Sequence, residues 1–156
     1  ARLKLYELLE KLQEIVLYFD TDSVVYISQP GRWDPPLGDY LGDLKDETKG
    51  VPITCFVSGG PKNYAYELAD GTSVCKIRGF TLNHRTSLAL NFQKMRTMIV
   101  NNDRAETVQT EEPHRLVRDP SGAMYTKNIK KRYRLVYDKR CIAPNGITTF
   151  PYGFKL

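Results

Sequence analysis

The sequence predicts an α+β fold, in which an antiparallel, hairpin-rich region backed by helices is followed by a small, basic and mostly β region. An amphipathic helical pattern opens the chain, and short β-branched and aromatic runs then follow in pairs separated by turn residues. Such pairs are typical of antiparallel hairpins. The last third of the chain concentrates basic residues between strand-forming ones. The length of 156 residues suits one ordinary domain or two small ones.

The first predicted elements are a helix and a hairpin. Apolar residues recur at helical spacing over residues 5–15, and two buried-type strands, Ile15–Phe19 and Val24–Ile27, follow. Asp20 and Asp22 lie between these strands. Because strand side chains alternate, we expect both carboxylates to point to the same side. Two negative charges at the end of an apolar hairpin favour a hard cation such as Mg²⁺, so the pattern indicates metal-dependent phosphoryl transfer.

The two aspartates also allow other interpretations. A hairpin can use Asp, Thr and Ser simply as turn residues. A calcium loop of EF-hand type is excluded, because the sixth position counted from Asp20 is Val25 and the twelfth is Gly31, where Gly and Glu are required. A phosphatase of the haloacid-dehalogenase type, with Asp20 as nucleophile and Asp22 as general acid, stays an alternative. It predicts alternating strands and helices after Ser23.

A second hairpin is predicted in the middle of the chain. Asp70-Gly71 separates two alternating runs, which is a hairpin signal. We expect Lys62 and Tyr64 to share a face, and Lys76 and Arg78 to share a face, because each pair is spaced by two residues.

Three further elements surround this hairpin. Residues 29–52 are rich in Pro, Gly and Asp and predict a surface connection, and residues 53–58 predict a strand. Asn83 is expected to cap a single helix that runs to about Val100, with the methionine Met95 in its apolar stripe.

The basic segment Pro113–Cys141 carries nine Lys and Arg residues against two Asp. Asp119–Gly122 predicts a turn, and Tyr133–Tyr137 predicts a strand. Basic residues interleaved with tyrosines are typical of a nucleic-acid-facing surface, and a solvated charged face is the alternative.

The bulk composition excludes several classes of protein. The net charge is +5 and the isoelectric point is about 9.1. Three widely spaced cysteines and two histidines indicate neither a disulfide framework nor a zinc site, and a reducing compartment is expected. No apolar stretch reaches membrane-spanning length. Because the chain begins at Ala1 with a helical pattern, we expect it to be a piece of a longer protein.

Together these segments resemble the carboxyl-terminal palm and thumb of a family B DNA polymerase. The likeness is strongest to the protein-primed branch found in adenoviruses, certain phages, linear plasmids and Polinton/Maverick transposons. Residues 18–23, Tyr-Phe-Asp-Thr-Asp-Ser, match the family's Y-x-D-T-D-S motif, and Lys62-Asn63-Tyr64 matches its K-x-Y motif. Segments 41–47, 59–66, 76–79 and 149–153 resemble transposon-type sequences in the same order.

The resemblance implies a palm over residues 1–82 and a helix with a basic β thumb over residues 83–156. The implied activity is nucleotidyl transfer from a dNTP to a primer 3′-hydroxyl. Asp22 is implied as the principal ligand, and Asp20 as a weaker ligand, of two Mg²⁺ ions in the complete enzyme. The implied partners are primer-template DNA, a dNTP and a terminal priming protein, without a membrane. The implied primer and DNA contacts are Lys62, Tyr64, Lys76, Arg78, Lys130, Lys131 and Arg132.

Two motifs of the family do not occur in the chain. They are D-x-x-S-L-Y-P, which supplies a second carboxylate, and K-x-x-x-N-S-x-Y-G, whose Lys meets the triphosphate; both precede the acidic hairpin in the family. Two neighbouring aspartates without that partner bind Mg²⁺ poorly, since this ion demands near-octahedral geometry. We therefore expect the chain to lack polymerase activity by itself. A non-catalytic DNA-binding remnant of a transposon polymerase is the remaining alternative.

Overall fold

The structure, a computed structural model, describes residues 2–102, 105–136, 140–145 and 147–151. The chain forms two units, the first made of Ala1–Ile53 and Leu68–Asp70, and the second of Thr54–Glu67 and Gly71–Leu156. Helices and antiparallel strand pairs occur together, which confirms the predicted α+β class. The division at residue 82 into palm and thumb stays a prediction.

The first unit contains the predicted helix and hairpin. Helix α1 spans Arg2–Leu12, a 3₁₀ turn spans Gln13–Ile15, and strands β1 (Val16–Asp20) and β2 (Ser23–Tyr26) pair antiparallel. The apolar residues at helical spacing are buried where the pattern predicts it, at Leu5, Leu12 and Ile15. Burial of this stripe is what orients the helix that leads into the hairpin.

The connection after β2 is irregular, as predicted. Asp46 organises part of it, because its carboxylate accepts hydrogen bonds from the hydroxyl and backbone N–H of Thr48 and from the N–H of Gly50. These bonds, that of the Thr48 hydroxyl above all, lower the pKa of Asp46. The side chain thus replaces backbone pairing that a loop lacks.

A three-stranded sheet follows, with the order β3-β4-β5. The strands are β3 (Ile53–Ser58), β4 (Asn63–Leu68) and β5 (Ser73–Ile77). Strands β4 and β5 pair antiparallel around the Asp70-Gly71 turn, which confirms the predicted hairpin.

The helical segment after the sheet is broken, so the prediction of a single helix to Val100 was wrong. Helix α2 (His84–Ala89) is capped by Asn83 as predicted, but helix α3 begins only at Phe92 and ends at Val100. Leu90 leaves the helical conformation with φ −129° and ψ 95°, and its side chain is fully buried. Asn91 then caps α3, since its side chain accepts a hydrogen bond from the Lys94 N–H. A second N-cap residue and the burial of Leu90 therefore outweigh the continuous helical pattern.

A long hairpin dominates the last third. Strands β6 (Val108–Arg118) and β7 (Met124–Tyr133) pair antiparallel around the predicted turn, and a shorter pair is formed by β8 (Arg140–Ile142) and β9 (Thr149–Pro151). The predicted strand at 133–137 was wrong for residues 134–136, which follow the end of β7, and Tyr137 lies outside the described residues. The strand lies earlier than expected because pairing with β6 compensates for the low β-propensity of its Lys and Asn residues.

The described residues of the second unit form an apolar core. The face of the sheet that carries Ala65 and Ile77 contributes to it. Met95 and Met98 are fully buried there, which confirms the predicted place of Met95 in an apolar stripe. The remaining buried members are Val57, Leu90, Phe92, Val108, Tyr133 and Leu135.

Candidate functional site

The acidic turn, residues 20–23, forms the tip of the β1–β2 hairpin. Asp20 pairs with Ser23, so Thr21 and Asp22 alone make the loop. The Asp22 N–H donates to the Asp20 carbonyl, and Thr21 has φ +50°, as in a tight γ-turn with a positive central φ. A positive φ is rare for a Thr residue, and such strain is found most often at functional sites.

Side-chain contacts further order this turn. The Thr21 hydroxyl donates to Asp20 Oδ1 at 3.0 Å, and the Ser23 hydroxyl donates to the Asp20 carbonyl at 3.1 Å. Asp20 is half-buried, whereas Asp22 is exposed. Asp22 lies in the turn and not in extended chain, so strand alternation does not by itself set its side chain beside that of Asp20.

The acidic turn has the right donor type for a hard cation but not a complete set. Carboxylate oxygens are the ligands that Mg²⁺ prefers. In the described part of the chain, however, no group of three or more His, Cys, Asp or Glu side chains is arranged to hold a metal ion. Asp20 and Asp22 could therefore supply part of a Mg²⁺ shell that other ligands must complete.

The second unit carries an aromatic and cationic face on its sheet. Tyr64 lies directly opposite Lys76 in the β4–β5 register, and the Lys76 ammonium lies 5.9 Å from the centre of the Tyr64 ring. Tyr64 stacks on Phe56 at 5.8 Å and on Tyr66 at 6.5 Å. The four side chains lie on the sheet face opposite to Ala65 and Ile77, since alternate residues face opposite sides. Stacked aromatic rings beside a cation are a common platform for nucleic acid.

Lys62 and Arg78 lie at the end of the same hairpin. The Arg78 N–H donates to the Lys62 carbonyl at 2.8 Å, which extends the β4–β5 pairing by one step. Lys62 has φ +57°, because the tight turn that joins β3 to β4 ends at this residue. Thus Lys62, Tyr64, Lys76 and Arg78 lie on or at the end of one hairpin in the second unit, whereas Asp20 and Asp22 belong to the first unit.

Of the three consecutive cations predicted to contact DNA, Lys131 is engaged within the fold. Its ammonium donates to Glu112 Oε1 at 2.7 Å and to the Gly79 carbonyl at 2.5 Å. Glu112 is buried, and it also accepts hydrogen bonds from the Thr81 N–H and the Arg115 guanidinium. The Lys131 hydrogen bond is the main cause that lowers the pKa of Glu112 to about 2.

Lys130 and Arg132 lie on the opposite, exposed face of β7. Lys130 makes a surface ion pair with Glu111 at 3.2 Å. Alternation thus separates the three neighbouring cations into one that anchors the hairpin and two that face solvent.

The second unit also contains an open pocket that was not predicted from the sequence. Three arginines line it, Arg78, Arg132 and Arg134, together with the buried side chains of Ile77 and Tyr133. Arg134 was not expected to be a site residue, although its spacing of two from Arg132 was a usable signal. The role of Glu112 could not be found in the sequence, because it depends on the register of β6 against β7.

Comparisons of this chain with family models, curated proteins and solved structures find no match. No helix in the part of the chain that the structure describes is long and apolar enough to cross a lipid bilayer.

Proposed function

We propose that this chain is the carboxyl-terminal palm and thumb portion of a family B DNA polymerase. In the complete enzyme it would contribute one carboxylate motif and the primer and duplex contacts. The observation that carries the proposal is the acidic turn: Asp20 and Asp22 lie at the tip of a tight antiparallel hairpin, around a Thr with positive φ. The positive φ supports the proposal only together with the two carboxylates, since five other described non-glycine residues also have a positive φ.

The acidic turn supports a partial metal site. Asp22, which is exposed at the tip, is proposed as the principal ligand, and the half-buried Asp20 as the weaker one. Two Mg²⁺ ions would lower the pKa of the primer hydroxyl and balance the charge of the triphosphate. The missing ligands would come from the D-x-x-S-L-Y-P motif upstream, so this chain alone is expected to be inactive.

The aromatic and cationic face supports a primer-contacting role. Lys62 and Lys76 offer charge to backbone phosphates, and Tyr64, held by its stacking on Phe56, offers a fixed ring beside a sugar or base. Arg78, Lys130 and Arg132 extend the positive charge along the second unit. The proposed partners are accordingly primer-template DNA, a dNTP and a terminal priming protein. For Lys131, its ion pair with Glu112 supports a structural role more than a DNA contact.

The topology counts against a phosphatase of the haloacid-dehalogenase type. That fold requires a helix and a parallel strand after the strand that ends in the nucleophile. Here the chain turns back at once after Asp20 into the antiparallel strand β2.

The proposal is tested by the reading frame upstream of Ala1 in the native locus. A continuous frame that encodes D-x-x-S-L-Y-P and K-x-x-x-N-S-x-Y-G, in that order, is expected. Stop codons or unrelated sequence there would contradict the proposal and leave a DNA-binding remnant, whose affinity for DNA should survive the change Asp22→Ala.

A further inference from the structure

The second unit contains a pocket of about 300 Å³ between the β3–β4 turn and the end of β7, here named the arginine pocket. Its charged members are Arg78, Arg132 and Arg134, and among the described residues no acidic side chain lines it. The other lining residues are Gly59, Pro61, Asn63, Ile77, Phe80, Tyr133 and Val136. The volume is at the lower end of the range for ligand sites, so the pocket suits a small group or one part of a longer ligand.

The charge of the arginine pocket favours an anion. All three arginines are exposed, and none of them forms an ion pair with another described residue. Arg115 and Lys131, on the β6–β7 hairpin, are instead paired with Glu112. Three guanidinium groups around one small opening repel each other, and a bound anion relieves that repulsion.

The geometry of guanidinium groups suits oxyanions, phosphate and carboxylate alike. Each offers a planar fork of donors that matches two phosphate oxygens. Apolar surface from Phe80 and Val136 lines the same opening, which suits the sugar beside a phosphodiester rather than a free, fully hydrated ion.

The floor of the pocket is held in place by contacts that link the two strands beside it. The Tyr133 hydroxyl donates to Asn63 Oδ1 at 3.1 Å, and Asn63 Nδ2 donates to the Gly59 carbonyl at 3.2 Å. Gly59 fits closely here, because a Cβ atom at this position would lie 2.6 Å from Asn63 Nδ2. A fixed floor lowers the ordering cost of binding.

We propose that the arginine pocket binds a backbone phosphate of a nucleic-acid strand, and that Arg134 is a ligand-binding residue of this site. The affinity for phosphate is inferred from the pocket alone, while the choice of a nucleic-acid strand as its source rests on the proposed function. The arginine pocket would add a defined phosphate position to the primer and duplex contacts. Binding of phosphate there requires neither the acidic turn nor a metal ion.

The test is fluorescence anisotropy of a labelled short DNA duplex with the 156-residue chain over a range of salt concentrations. Arg134→Gln is compared with Arg96→Gln, a matched change of an exposed arginine on helix α3 that does not line the pocket. We expect Arg134→Gln to weaken binding about tenfold at low salt. It should also reduce the salt slope of log K by about 0.9, the value for one lost phosphate contact.

Three results would overturn the inference. They are the absence of duplex binding by the unaltered chain at low salt, equal losses for Arg134→Gln and Arg96→Gln, and no loss for Arg134→Gln. Inorganic phosphate is added as a competitor at constant ionic strength, and it should displace the duplex from the unaltered chain. If inorganic phosphate saturates its own binding to the chain but does not displace the duplex, the pocket binds free phosphate. That result would contradict a nucleic-acid strand as the ligand. Thermal melting by circular dichroism checks that both variants are folded.

Failure of this inference is distinguishable from failure of the proposed function. The binding assay does not depend on nucleotidyl transfer. The proposed transfer activity is tested instead in the complete enzyme by a change of Asp22, which belongs to the other unit.

Discussion

The ion pair between Lys131 and Glu112 is predicted to be a main stabilising contact of the second unit, and Lys131→Met tests this. The two side chains are only 18% and 8% exposed and lie 2.7 Å apart. Methionine keeps the length of the lysine stem but leaves the buried carboxylate without its ammonium partner. Removal of one member of a buried pair costs about 3–5 kcal/mol. We expect a value near 3 kcal/mol, since Arg115 and the Thr81 N–H still contact Glu112.

A neighbouring pair on the same hairpin provides the control. Lys130 and Glu111 have the same chemistry and lie 3.2 Å apart, but their side chains are 76% and 47% exposed. Lys130→Met should change the free energy of unfolding by less than about 0.5 kcal/mol. Both values are measured by urea denaturation followed by circular dichroism. Equal effects of the two changes, or a cost of Lys131→Met below about 1 kcal/mol, would refute the reasoning.

The pH dependence of the same variant gives a second check. The folded-state pKa of Glu112 is lowered from 4.5 to about 2, so the stabilisation from its ionised form is present above pH 4.5 and is lost as the pH falls towards 2. The difference in stability between the unaltered chain and Lys131→Met should therefore be constant near neutral pH and should narrow below pH 4.5. A difference that stays constant down to pH 2 would contradict this assignment.

Three further predictions concern other parts of the chain. Thr21→Gly relieves a positive φ and should raise the free energy of unfolding by about 0.5 kcal/mol. A lower free energy of unfolding, measured by urea denaturation, would show that the turn is unstrained. Gly59→Ala places a Cβ 2.6 Å from Asn63 Nδ2 and should cost about 1–3 kcal/mol, and an unchanged melting temperature would contradict this. Iodoacetamide should label the exposed Cys141 before Cys75, because burial raises the pKa of the Cys75 thiol to about 11; equal rates of labelling by mass spectrometry would contradict this.

The first hairpin and the β4–β5 hairpin were predictable from the sequence, because local signals determine them. Two β-branched and aromatic runs on either side of residues 20–23 predict the first, and Asp70-Gly71 predicts the second. The break at Leu90 was not predictable from periodicity, since the pattern of apolar residues continues across it. Asn91 was the local sign of the second cap.

The position of Tyr64 beside Lys76 was predictable from the sequence, whereas the pocket lined by three arginines and the structural role of Lys131 were not predicted. Residue spacing places Tyr64 and Lys76 on adjacent strands, and the register then brings them together. Lys131 is bound to a buried glutamate, whereas its neighbour Arg132 is exposed. This difference depends on which face of β7 packs inwards. Long-range register decides this, and a single sequence does not contain it.

The most direct test of the proposed function is primer extension by the complete product of the native reading frame with dNTPs and Mg²⁺. The comparison is between the unaltered enzyme, Asp22→Asn and the control Asp39→Asn, an exposed aspartate in a surface pair with Lys45. The proposal predicts that Asp22→Asn abolishes extension but leaves duplex binding intact, while Asp39→Asn extends normally. Full extension by Asp22→Asn would contradict the assignment of the acidic turn as a catalytic element.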